Sequence, residues 1–257
     1  MEYNKNIKGN NEKNSNYPYV SSPMYNQFEF TCPLSLEKRK IMLKNYIENR
    51  FKSLILEPPL FYSWSLGIRF ELGSPNMWIV DKQNRVNEQY FTKALNRAVA
   101  IFDFIFKDED EIIFVYQQFS DGRKTIGKNN FYLQQIKNLE EKELEFTDVR
   151  ESKDNDIFEK KAYCLKRFAV KVSKKDINYK AILEACINSD FTIRNKRFIP
   201  HGDCYFINIS NDSILHLYDD RGVDVISTHP NNLKALYKKY NEWILDYDRE
   251  EIDAIFN

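Results

Sequence analysis

The residues best able to do chemistry lie close together near the C-terminal end of the chain. The stretch HLYDDRGVDVIS (216–227) places His216, Tyr218, Asp219, Asp220, Arg221 and Asp224 around Gly222. Aspartates in that number can hold Mg2+ or Mn2+ and activate a water molecule. An arginine at an exposed turn suits a carboxylate or phosphate on a partner instead. All three histidines, His201, His216 and His229, fall in the same region, and histidine is a common acid–base group and metal ligand. No HxH or HExxH spacing joins them. HGDC (201–204) reads as a turn entering an apolar strand, because a nucleophilic Cys204 needs an exposed thiol.

The same stretch has a structural reading. Apolar runs flank DDRG, so residues 219–222 are expected to close a hairpin: a type I turn followed by a left-handed Gly222. Asp219 then accepts the backbone N–H two residues on. In that register Asp219 faces Val223, Tyr218 faces Asp224, Leu217 faces Val225 and His216 faces Ile226. Leu215, Leu217, Val223 and Val225 form a core face, and His216, Tyr218 and Asp224 share the other. Asp219 and Asp224 fall on opposite faces, which tells against a shared metal, and no metal site is assigned. Asp219 and Gly222 are explained by the turn; Asp220, Arg221 and Asp224 are not.

Mixed elements must position these groups. SLEKRKIMLKNYIENRFKSLIL (35–56) spaces Leu36, Ile41, Leu43, Tyr46, Ile47 and Leu54 as a helix, with Ser35 as cap and Pro58 and Pro59 as terminators. In SWSLGIRFELG (63–73) the period changes to two: Trp64, Leu66, Ile68, Phe70 and Leu72 point one way, Arg69 and Glu71 the other. Arg69 and Glu71 are expected to pair across the sheet with a neighbour such as Asp224. Together with His216, Tyr218 and Asp224 they would line an open polar sheet face, a candidate binding surface that Asp220 and Arg221 extend at the tip.

A helix starts near Asn87, striped by Phe91, Ala94, Leu95, Ala98, Val99, Phe102 and Phe106, and EIIFVYQQF (111–119) follows as a strand. Residues 120–156 read as a polar connection with a short helix around YLQQIKNLEEKEL (132–144). Then come a strand (163–173), a helix (177–189), a strand (204–210) and the hairpin. Residues 231–256 hold Leu233, Leu236, Tyr237, Tyr240, Trp243, Ile244 and Tyr247 at helical spacing, with Trp243 as a packing residue. The pattern predicts an α+β fold with a mostly antiparallel or mixed sheet and helices packed largely on one face. The domain is expected over 31–257, divisible into strand–helix–strand halves at 31–150 and 157–257. The Asn-rich residues 1–30 are expected to be a disordered or loosely docked tail.

Composition narrows the function classes. Lys+Arg and Asp+Glu are both 38 in 257 residues, so the basic excess of a nucleic-acid binder is missing. There is no GxGxxG or Walker pattern, and only 7 glycines to build one; no cofactor is expected. Four scattered cysteines without CxxC read as reduced thiols. With no apolar leader segment and no long apolar run, a cytoplasmic location away from the membrane is expected.

YDDRG (218–222), followed by DVI and LYKKYNEWILDYDREEID, resembles an uncharacterised bacterial domain of unknown function marked by a YDDRG motif. GIRFELG and YFTKALNRAVAIFDFIF are similar to its upstream parts, so the likeness runs from about residue 60 to the C-terminus. The resemblance implies no activity. The expectation is a non-enzymatic cytoplasmic protein that binds another protein, in the manner of bacterial immunity proteins, with the YDDRG hairpin as recognition element. The alternative is a metal-dependent hydrolase or nuclease using the aspartates. Neither an oligomeric state nor a substrate follows from the residues.

Overall fold

The computed structural model describes residues 42–52, 54–74, 77–80, 83, 85–191, 194 and 201–257. The tail expected at 1–30 and the first turn of the expected 35–56 helix lie outside them. Among the described residues the elements run α1 (Met42–Phe51), β1 (Gly67–Glu71), α2 (Glu88–Ile105), β2 (Glu111–Ser120), β3 (Leu144–Val149), β4 (Cys164–Ser173), α3 (Tyr179–Ile187), β5 (Asp203–Asn208), β6 (Ser213–Leu217), β7 (Gly222–Ser227), α4 (Pro230–Lys239) and α5 (Arg249–Phe256).

The strands form one antiparallel sheet in the order β1-β7-β6-β5-β2-β4-β3. Strands from the two expected halves therefore interleave: β1 pairs with β7, and β2 lies between β4 and β5. The chain is α+β, with helices largely on one face. Ile68, Phe70, Phe114, Phe206, Leu215 and Val225 meet the apolar stripes of α2, α3, α4 and α5 there.

The second face is also covered, contrary to the expectation of an open one. Leu43, Ile47 and Phe51 of α1, with Leu54, Leu56 and Leu60, pack on Ile113, Val115, Tyr205, Ile207, Ile214 and Ile226. Strands buried on both sides read as continuous apolar runs rather than alternation, as CYFIN and SILHL do.

Local chemistry explains most boundaries. The Asn87 side chain accepts the Gln89 N–H and caps α2. Pro230 opens α4. Three expectations are corrected. The first helix ends at Lys52, whose φ of 51° is left-handed, and not at the prolines. The connection at 132–144 holds two 3-10 turns, Leu133–Gln135 and Leu139–Glu141, and then the unanticipated β3. The last helix breaks after Lys239, although its apolar spacing continues. Ile244 bridges Phe70, and the Leu245 N–H donates to Arg69 O at 2.9 Å, so the edge of β1 captures the chain as extended backbone.

Candidate functional site

Four strands place one cross-strand row on the α1-side face: Arg69 opposite Asp224, Asp224 opposite His216, His216 opposite Tyr205. The hairpin register differs from the expected one by two residues. Leu217 faces Val223 and His216 faces Asp224, so four residues, 218–221, make the loop. An even shift keeps every side chain on its expected face. Leu215, Leu217, Val223 and Val225 remain in the helix-side core.

The polar face is closed. His216 and Asp224 are fully buried, beneath the segment that joins α1 to β1. The Phe61 N–H donates to Asp224 Oδ2 at 3.0 Å, the Trp64 Nε1–H to Ser227 O at 2.7 Å, and the Gln117 amide to Leu56 O at 2.8 Å. Arg69 Nε sits 3.2 Å from Asp224 Oδ1. Its guanidinium is held between the rings of Tyr62 and Tyr218, at 5.1 and 5.3 Å. It donates to Tyr62 Oη at 3.1 Å and reaches Asp248 Oδ2 at 3.5 Å, while the Tyr62 hydroxyl donates to Asp248 Oδ1 at 2.7 Å.

Burial raises the Asp224 carboxyl above its ordinary value, against the Phe61 N–H, His216 and Arg69, which favour the charged form. Burial opposes the Arg69 charge too, but Asp224 and Tyr218 leave its pKa raised. Burial pushes the Tyr218 hydroxyl up to about 12. His216 stacks on Tyr205 at 4.4 Å, and its Nε2 lies 3.9 Å from Asp203 Oδ1. Among the described residues, neither ring nitrogen of His216 nor the Tyr205 hydroxyl has a hydrogen-bond partner.

The tip aspartates are used within the fold. Asp219 Oδ1 accepts the Arg221 N–H at 2.8 Å, as the turn chemistry predicts, and Oδ2 pairs with the Arg221 guanidinium. Asp220 is buried and accepts the Tyr90 hydroxyl of α2 at 2.6 Å. Burial raises its carboxyl, and the Tyr90 bond opposes that rise. Removing the hydroxyl in Tyr90→Phe takes the side-chain hydrogen bond from the buried Asp220 carboxylate. The expected cost is about 1–3 kcal/mol in urea unfolding; an unchanged midpoint would refute the assignment.

Gly222 is not left-handed, as the turn model required; the positive-φ glycine among the described residues is Gly122. Glycine is needed because a Cβ at 222 would lie 1.9 Å from the Tyr218 hydroxyl and 2.9 Å from Phe70 O.

The candidates thus separate. Arg69, His216 and Asp224 meet in the row, and Tyr218 lies against Arg69 from the loop. Asp219 and Asp220 lie in the loop, and Gly222 opens β7. Glu71 and Arg221 line a hollow of about 320 Å³ with Trp78 and Tyr90. Trp243 stacks on Tyr240 at 4.5 Å beneath the Arg97 guanidinium. Cys204 points into the helix-side core, opposite to His216, and burial raises its thiol pKa. Sequence reasoning missed Tyr62, Tyr205 and Asp248. Asp248 falls within the helix expected over 231–256, whereas the chain there is held at the edge of β1 by Ile244 and Leu245 and Asp248 is buried.

Fold and site together define an α+β protein on a seven-stranded antiparallel sheet, with a buried Arg–Asp–His–Tyr row on one face. No helix among the described residues is long and apolar enough to cross a membrane. The chain belongs to the family of the domain of unknown function DUF3885, whose model matches residues 43–248 and so contains the whole row. It is similar to the uncharacterised protein YnaE of Bacillus subtilis (strain 168), with 29% identity over 212 residues, 80% of this chain and 98% of that one. No solved structure matches it.

Proposed function

We propose that this chain is a non-enzymatic cytosolic protein that binds, and in the manner of an immunity protein neutralises, another protein through the YDDRG tip. One observation carries the reading. The Arg221 side chain is 74% exposed, and it shares a hollow with Trp78, which is 84% exposed. Tryptophan and arginine dominate binding hot spots, and here both stand on one side of the molecule. Asp219 orients the guanidinium from within the loop, so less side-chain freedom is lost on contact.

A hydrolase would need its carboxylates to converge in one pocket. Here Asp219 turns to Arg221, Asp220 to Tyr90 and Asp224 to Arg69 on the other face. In this reading YDDRG marks the family by building a hairpin that presents one arginine. Buried free thiols at Cys164, Cys186 and Cys204 suit a reducing compartment.

Arg221→Ala should cost about 1–3 kcal/mol, because the guanidinium is exposed but the buried Asp219 Oδ2 loses its donor. Affinity for the partner should fall by about 2 kcal/mol, the scale of a hot-spot residue. Pull-down from the source cell with wild type, Arg221→Ala and Trp78→Ala, all shown to be folded, tests this. A stoichiometric partner retained by wild type and lost by both variants is the expected result. A partner retained equally by all three overturns the reading.

A further inference from the structure

The two edges of the sheet are treated differently. At one, β1 is covered by Ile244 and Leu245. At the other, β3 pairs with β4 only, and among the described residues no strand lies beyond it. The Lys171 N–H donates to Glu143 O at 3.0 Å. In an antiparallel ladder alternate residues share one side, so Glu145, Thr147 and Val149 direct their backbone groups to β4. Leu144, Phe146 and Asp148 turn theirs outward. An edge of that kind is a template for another strand.

A groove of about 1220 Å³ runs beside this edge. Residues 145–152 form one wall, and Leu43, Ile47 and Lys52 lie on the α1 side. Its floor holds an unsatisfied carboxylate oxygen. Glu145 is only 6% exposed, and its Oε2 has no hydrogen-bond partner among the described residues. Burial raises the Glu145 carboxyl, and the Leu43 and Met42 N–H groups at the start of α1 oppose that rise. The two groove-lining cations on the adjacent strand are engaged: Lys166 with Asp148 at 2.6 Å, and Arg167 with Gln117 Oε1 at 3.0 Å. A buried carboxylate oxygen without a partner is costly and calls for a donor.

We propose that this groove takes an extended segment of a partner protein as an eighth strand, with a lysine or arginine of that segment over Glu145. Backbone bonds to Leu144, Phe146 and Asp148 supply affinity, and alternate side chains supply specificity. The residue opposite Glu145 forms a non-hydrogen-bonded pair, in which side chains are closest, and it enters the groove on the face that carries the carboxylate. The inference extends the reading as a binding protein to a second surface and does not depend on the YDDRG tip.

The test is selection of a phage-displayed random dodecapeptide library on the full chain, followed by fluorescence polarisation with the most enriched peptide. Enriched peptides should share a basic residue within an otherwise β-forming pattern. Asp148→Pro removes an outward N–H that β4 does not use, and proline is tolerated at such edge positions. It should weaken binding about tenfold or more, as should Glu145→Gln, which removes a charge-assisted bond. Arg221→Ala should leave peptide affinity unchanged even if it abolishes capture of the tip's partner. A peptide N-methylated at alternate residues should fail to bind wild type, a control independent of the variants' folding. The proposal is overturned if no peptide is enriched, or if binding survives both Asp148→Pro and N-methylation. It is also overturned if the edge is occupied by a second copy, seen as a wild-type dimer in sedimentation that Asp148→Pro dissociates.

Discussion

Gly222→Ala should be among the most damaging single substitutions in this chain. The added Cβ would stand 1.9 Å from the Tyr218 hydroxyl and 2.9 Å from the carbonyl oxygen of Phe70. Tyr218 cannot swing away freely, since its ring lies against the Arg69 guanidinium at 5.3 Å. Phe70 O belongs to the neighbouring strand, so relief there means moving β1. Overpacking costs about 1–3 kcal/mol where side chains can adjust, and more where they cannot; a loss of about 3 kcal/mol or more is expected here. Urea unfolding measures it. The cause is separable from backbone strain, because Gly222 does not need a left-handed φ. Truncating the neighbour in Gly222→Ala/Tyr218→Ser should recover part of the loss. A double variant no more stable than Gly222→Ala would show that the clash is not with the tyrosine.

Arg69→Met should cost about 3–5 kcal/mol at neutral pH, the usual result of removing one partner from a buried ion pair. Asp224 would then remain fully buried with the Phe61 N–H as its hydrogen bond. The loss should depend on pH. Burial already holds the Asp224 carboxyl above the ordinary aspartate value of 3.8, so folding favours its protonated form. That contribution is present below the ordinary value and is lost as pH rises through the folded one. Without Arg69 the folded value rises further. The difference between Arg69→Met and wild type should therefore shrink as pH falls from 7 towards 5. An equal difference at both pH values would show that the carboxylate is not the source of the loss.

Much of this arrangement was legible in the residues. Alternation in GIRFE and the periodic stripe from Phe91 to Phe106 pointed to β1 and α2, because each has a period and a boundary signal. The hairpin faces were also legible, since a two-residue register error leaves side-chain direction unchanged. Burial of the polar row was not. Its cover comes from residues 54–64, which lie far from the hairpin in sequence and carry no period of their own. The final helix misled for a related reason. Leu233 to Ile244 keeps helical spacing, but Ile244 is buried through a bridge to Phe70 and not through a helix face. β3 was hidden because an edge strand with one buried residue in six, and that one a glutamate, presents little apolar pattern.

The position of β1 has a consequence for how the chain is made. β1 is synthesised long before its strand partner β7 and its edge cover at Ile244 and Leu245, which follow it by more than 150 residues. During translation Ile68 and Phe70 must therefore wait, exposed, for partners not yet made. Contacts so distant in sequence close slowly, and apolar segments left unpaired meanwhile invite aggregation. A ribosome-bound chain stopped short of β7 should be a client for holding chaperones, and emergence of β7 and of Ile244 and Leu245 becomes the event that commits this edge of the sheet to closure.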